Sequence, residues 1–161
     1  MLGKWFVGAL GAALFSLSTL SAQTGLDCAS GNARGAWDLP AGRPAGYVKG
    51  LLVDQAGHSL MLEGRLTPLQ LPDGRRGGLL DGLLFVPTTD GTAPRPVAEA
   101  HGVYTLDLNG RGHFESRVLE LPSDLHKEQR TIGKLAGAFA DPMYRGRDPV
   151  GRFVGQWAIC R

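Results

Sequence analysis

Apolar positions along the chain fall into short runs that alternate with polar or small residues, and no segment after residue 22 sustains a helical period. Strand side chains point to opposite faces with period two. The runs therefore predict strands near residues 34–39, 46–54, 58–66, 78–87, 98–108, 112–121, 131–140 and 150–159. The joints carry turn chemistry: Gln55-Ala56-Gly57, Asp73-Gly74, Asp90-Gly91 and Asn109-Gly110. One helical turn is predicted from Ser123 to Arg130, with Ser123 as its cap. Short strands punctuated in this way read as an all-β domain.

A second pattern is laid over the first. Gly-x-large-x-Gly-x-large recurs at Gly46–Leu52, Gly78–Leu84, Gly133–Phe139 and Gly151–Trp157, and Gly35-Ala36-Trp37 holds half of it. In every copy the glycines share a face with bulky residues, so Trp37, Gly50, Gly82, Gly137, Phe139, Phe153, Gly155 and Trp157 form one Gly/aromatic face. Glycine weakens a strand unless something needs the space. Alternating small and large side chains is how a small barrel fills its tapering interior. The face is therefore expected to be the inside of a small antiparallel barrel, or strongly curved meander, of about eight short strands, a number that suits an interior filled by side chains. The competing architecture is an open, twisted sheet of stacked hairpins. Gly151-Arg152-Phe153-Val154-Gly155-Gln156-Trp157 resembles the core of MORN repeats, but the chain lacks the rest of that repeat and its even spacing.

The ends place the domain. Met1–Lys4 carries one positive charge, Trp5–Leu17 is apolar and small, and Ser21-Ala22 offers a cleavage site. That is the three-part pattern of a secretory signal over residues 1–22, which leaves a single domain at 23–161. A periplasmic or secreted location follows as the expectation, with membrane contact through the signal alone. The chain has two cysteines, Cys28 and Cys160, near the two ends of that domain. In an oxidising compartment they are expected to pair. Closing a loop of roughly 130 residues stabilises a fold by about 4–5 kcal/mol in the chain-entropy model, and it requires the ends to meet. Net charge is +2 and the arginines are scattered rather than clustered, so no nucleic-acid partner is expected.

Candidate chemistry is sparse. His58, His101, His113 and His126 have no second ligand at metal-binding spacing, and no metal or cofactor is implied. A three-residue loop Asn109–Arg111 pairs Leu108 with Gly112 and sets His113 opposite Asp107, a weak dyad whose plainer reading is an ordinary exposed cross-strand pair. The same register puts Tyr104, Leu106, Phe114, Ser116 and Val118 on one face. No Gly-x-Ser-x-Gly elbow is present, and Asp81, Glu99, Glu115 and Glu120 are scattered over the predicted strands. The basic stretch Asp73–Gly78 reads as an anion seat or as a hairpin tip. The loop around Tyr144, Arg145 and Arg147 has the composition of a binding hot spot, which is also that of a turn.

The side away from the glycines gives a clearer lead. Tyr47, Leu51, Val53, Met61, Leu79, Leu83 and Phe85 fall there and are expected to form a contiguous apolar patch on the barrel exterior. Such patches mark interaction sites, unless a loop covers them or the sheet is one layer of a sandwich. The functional expectation is a non-enzymatic binding module of the cell envelope whose partner is a protein or a second copy of the chain. The alternative is a lipocalin-like carrier of a small apolar ligand in the barrel interior. A hydrolase comes third.

Overall fold

The computed structural model describes residues 27–40, 42–72, 75–122, 128–145 and 148–160, of which 141–145 and 148–149 are described by their backbone. The signal reading of residues 1–22, residues 123–127 of the expected helical turn, Asp73-Gly74 and Arg147 lie outside the described residues, and the remainder of that turn, 128–130, is not helical. Eight strands follow in order: β1 Cys28–Asp38, β2 Gly46–Asp54, β3 Ser59–Gln70, β4 Arg76–Val86, β5 Arg95–Leu106, β6 Gly112–Glu120, β7 Thr131–Arg145 and β8 Asp148–Cys160. Each pairs antiparallel with the next, and β8 returns to pair with β1, so the sheet is a closed barrel. The expected barrel is formed, and the competing open sheet of stacked hairpins is excluded. Its edges would have left unpaired N–H and C=O groups, whereas the β1–β8 seam is in continuous register from Cys28↔Cys160 to Asp38↔Val150.

Each predicted strand is present, and the main differences are in length. β1 begins at Cys28 rather than residue 34, because Cys28–Ala33 is polar or small and pairs through its backbone with β8. Gly57, Gly91 and Gly110 take φ of 87°, 78° and 75° in the turns where glycine was expected, a region open to glycine without steric cost.

The Gly/aromatic face points inward. Trp37, Val48, Leu52, Leu62, Leu66, Leu80, Leu84, Tyr104, Phe114, Leu135, Phe139, Phe153 and Trp157 are all buried in one core. Gly35 and Gly50 are cross-strand partners, and a Cβ on either would run into the Phe153 ring. A Cβ at Gly151 would lie 2.6 Å from the Trp37 indole nitrogen. Phe139 is the hub of the rings, 5.1 Å from Trp37, 5.3 Å from Phe114 and 6.1 Å from Tyr104 between centroids. Tilted and edge-on pairs of this kind contribute about 0.5–1.5 kcal/mol each beyond area burial.

The outward positions include Lys49, Glu63, Arg65, Arg117, Lys134 and Arg152, all exposed. Apolar-in and charged-out is the reverse of a membrane-spanning barrel, which carries an apolar band outside. This barrel faces water. Cys28 and Cys160 form a disulfide across the seam, with Cα atoms 4.0 Å apart. The bond points to an oxidising, non-cytoplasmic environment.

Candidate functional site

Register decides what the outer face offers. Leu51, Met61 and Phe85 are successive cross-strand partners on β2, β3 and β4, half-buried against one another. Val53 follows Leu51 by two positions, and Leu83 precedes Phe85 by two. Leu83 is 37% exposed and lies between Glu63 and Glu99 in the register. Leu79 is on the same face of β4 but pairs with Thr67 and Val103, away from the first group. Tyr47, 54% exposed, sits opposite Arg65. All seven predicted residues thus point outward, but the expected contiguous patch is corrected to two islands. A belt of charge divides them: Lys49 and Glu63, whose ion pair measures 2.6 Å, and the row Arg65–Asp81–His101. The physical reason is that β2 to β4 place charged residues on the same outward phase as the apolar ones.

The belt contains a hydrogen-bonded cluster of titratable side chains. His101 on β5 holds Asp81 of β4 through Nδ1 at 2.8 Å and Glu99 through Nε2 at 3.0 Å. Glu99 Oε2 also accepts from Gln129 Nε2 at 2.7 Å. Hydrogen bonding to Glu99 and then to Asp81 raises the His101 pKa above its ordinary value. Bonds from His101 and then Gln129 lower that of Glu99. When His101 is protonated, both ring nitrogens donate to carboxylates, and in that form it has no lone pair left to act as a base. Sequence reasoning passed over this cluster. Its local signal was Glu99-x-His101, two residues that must share one strand face. Asp81 is brought in only by the β4–β5 register.

The proposed dyad is not formed. The turn sits one residue earlier than expected: Leu106 pairs with Gly112 and Thr105 with His113. Asp107 instead spans the turn, its Oδ1 accepting from the N–H of Asn109 at 2.8 Å and of Arg111 at 2.9 Å. His113 lies 3.3 Å from Thr105 Oγ1 through Nδ1. The shift moves the pairing by two positions in total, which preserves the alternation, so Tyr104, Leu106, Phe114, Ser116 and Val118 are buried on one face as expected. Burial pushes the Tyr104 hydroxyl up to about 12.

The two ends of the barrel differ. At the end where β1 begins and β8 finishes, a recess of about 350 Å³ has a floor of Ala29, Leu60, Val97, Trp157 and Ile159. At the opposite end a cleft of about 590 Å³ runs between the β1–β2 and β3–β4 connections, with Arg43, Arg75 and Arg76 around Leu39, Leu69 and Leu71. Arg76, Gly77 and Gly78, read above as part of a loop, belong to β4. Tyr144 and Arg145 finish β7 at this same end, in register with Pro149 and Asp148. Among the described residues, no group of three His, Cys, Asp or Glu is placed to hold a metal ion.

Fold and surface together define a water-facing, disulfide-closed, eight-stranded up-and-down barrel with a packed centre. Compared with family models, curated proteins and solved structures, the chain matches none of them.

Proposed function

We propose that this protein is an exported, non-enzymatic binding domain that engages a protein partner through the outer face of β2–β4. The signal-like segment at residues 1–22 and the disulfide support export to the periplasm or the medium. One observation carries the binding reading. The interior is already filled by side chains such as Leu52, Leu62, Leu66, Leu80, Leu84 and Phe153, each fully buried, so the fold does not need Leu51, Met61, Leu83 and Phe85 on its outside. Large apolar side chains beyond the needs of the core, framed by charges, are the composition of an interface centre and its polar rim. A packed centre also argues against the carrier reading in its interior form.

Leu83→Asp tests the reading. The expected result is a folded protein, its stability changed by no more than about 0.5 kcal/mol as for an ordinary surface site, that no longer forms the adduct given by a photo-crosslinking residue at position 85. A cooperative loss of fold would assign Leu83 to the core and end the proposal, as would an adduct that survives the substitution.

A further inference from the structure

The recess at the β1/β8 end of the barrel has a chemistry of its own. Its volume, about 350 Å³, falls at the lower end of the roughly 300–1,000 Å³ of small-molecule pockets. Ala29, Leu60 and Val97 pack on the core without being fully buried, so the described residues leave apolar surface at the floor. Two carboxylates stand at the rim, Asp27 just before β1 and Asp54 at the end of β2. Asp54 is held in place by His58, whose backbone N–H and Nδ1 lie 2.8 and 2.9 Å from its oxygens. No Lys or Arg is among the described residues that line the recess.

Trp157 supplies an independent sign. It forms part of the floor and is only 5% exposed, and its buried indole N–H, like the hydroxyls of Tyr104 and Ser116, has no hydrogen-bond partner among the described residues. The comparable donor at the other end, Trp37 Nε1, gives its proton to the Arg152 carbonyl at 3.2 Å. An unmade buried hydrogen bond is costly, and a bound acceptor would relieve that cost.

We infer that this recess binds a small, largely apolar molecule that carries a basic nitrogen and a hydrogen-bond acceptor. The apolar body fills the floor, the ammonium or amidinium group faces Asp27 and Asp54 at the rim, and the acceptor takes the Trp157 N–H. Anionic amphiphiles of the same size are rejected by the two carboxylates. The site is separate from the outer face of β2–β4 and does not depend on that surface having a partner.

Dansylcadaverine, which joins an aromatic body and sulfonamide acceptor to a primary ammonium, is the probe, and anilinonaphthalene sulfonate is its anionic counterpart. Titrated into the disulfide-bonded protein, dansylcadaverine is expected to saturate at one equivalent and to bind at least about tenfold more tightly than the anionic dye. Ala29→Trp fills the floor and should abolish binding. Val86→Arg adds a positive charge at an exposed rim position and should weaken binding severalfold without touching the core. Trp157→Phe, which keeps a ring but removes the donor, should weaken it by about tenfold. Failure to saturate, equal affinity for the two dyes, or full binding by Val86→Arg would each overturn the proposal, and full binding by Trp157→Phe would remove the acceptor from it. If Ala29→Trp does not fold, Val86→Arg decides alone.

Discussion

Individual residues in this barrel serve either volume or charge. Inside, Phe153 lies across Gly35 and Gly50, and the Trp37 indole covers Gly151, so glycine is where it is because a ring needs the space of a missing Cβ. Outside, His101 ties Glu99 on its own strand to Asp81 on the neighbouring one. This cluster gives stability a defined pH dependence. Because His101 has a raised pKa in the fold, its contribution is complete below its ordinary value of 6.5 and is lost as pH rises through the raised value. Glu99 has a lowered pKa, so its contribution is complete above its ordinary 4.5 and is lost as pH falls through the lowered value. The stability difference between the parent and His101→Gln should therefore be greatest between pH 4.5 and 6.5 and shrink by pH 9. His101 and Asp81 are both nearly half exposed, which limits the effect to about 1 kcal/mol or less. Urea melts at four pH values measure it, and a difference that grows toward pH 9 would contradict the assignment.

At the scale of elements, the hairpins combine two kinds of information. Alternation set the faces of β5 and β6 correctly even though the expected turn was misplaced by a residue, because a paired shift keeps inward positions inward. The turn itself was decided by Asp107, whose carboxylate collects two backbone N–H groups while Gly110 adopts φ of 75°. Those N–H groups have no ladder partner, so the side chain that reaches them determines where the strands stop pairing. Asp107→Ala should cost about 1 kcal/mol, in line with the loss of a comparable capping side chain, whereas His113→Ala should fall within about 0.5 kcal/mol of the parent. Thermal melts of the two variants separate a turn residue from a catalytic dyad, since a dyad would show no such asymmetry in stability.

The whole molecule depends on its seam. Up-and-down pairing builds β1 through β8 from local hairpins, but the last pairing joins Cys28 to Cys160, 132 positions apart. Closing it costs chain entropy that no hairpin repays, and the disulfide removes most of that cost from the unfolded state. Cys28→Ser/Cys160→Ser should lower unfolding stability by about 4–5 kcal/mol while leaving the far-ultraviolet spectrum of any folded fraction unchanged. Guanidinium melts with and without reductant give the same quantity. Coincident melts would mean that β1 and β8 hold together without the bond.

Much of this architecture was legible in one dimension. Alternation and turn residues predicted eight strands, the phase of the glycines predicted which face lies inside, and the positions of Cys28 and Cys160 predicted that the ends meet. These are local or period-two properties, and a backbone that repeats every two residues expresses them directly. Two things waited for the tertiary structure: the division of the outer apolar residues into two islands, and the meeting of Asp27, Asp54 and Trp157 around one recess. Each depends on which residue of one strand stands beside which residue of another. That register is set by barrel stagger and loop geometry over long separations, and no pattern within a single strand contains it.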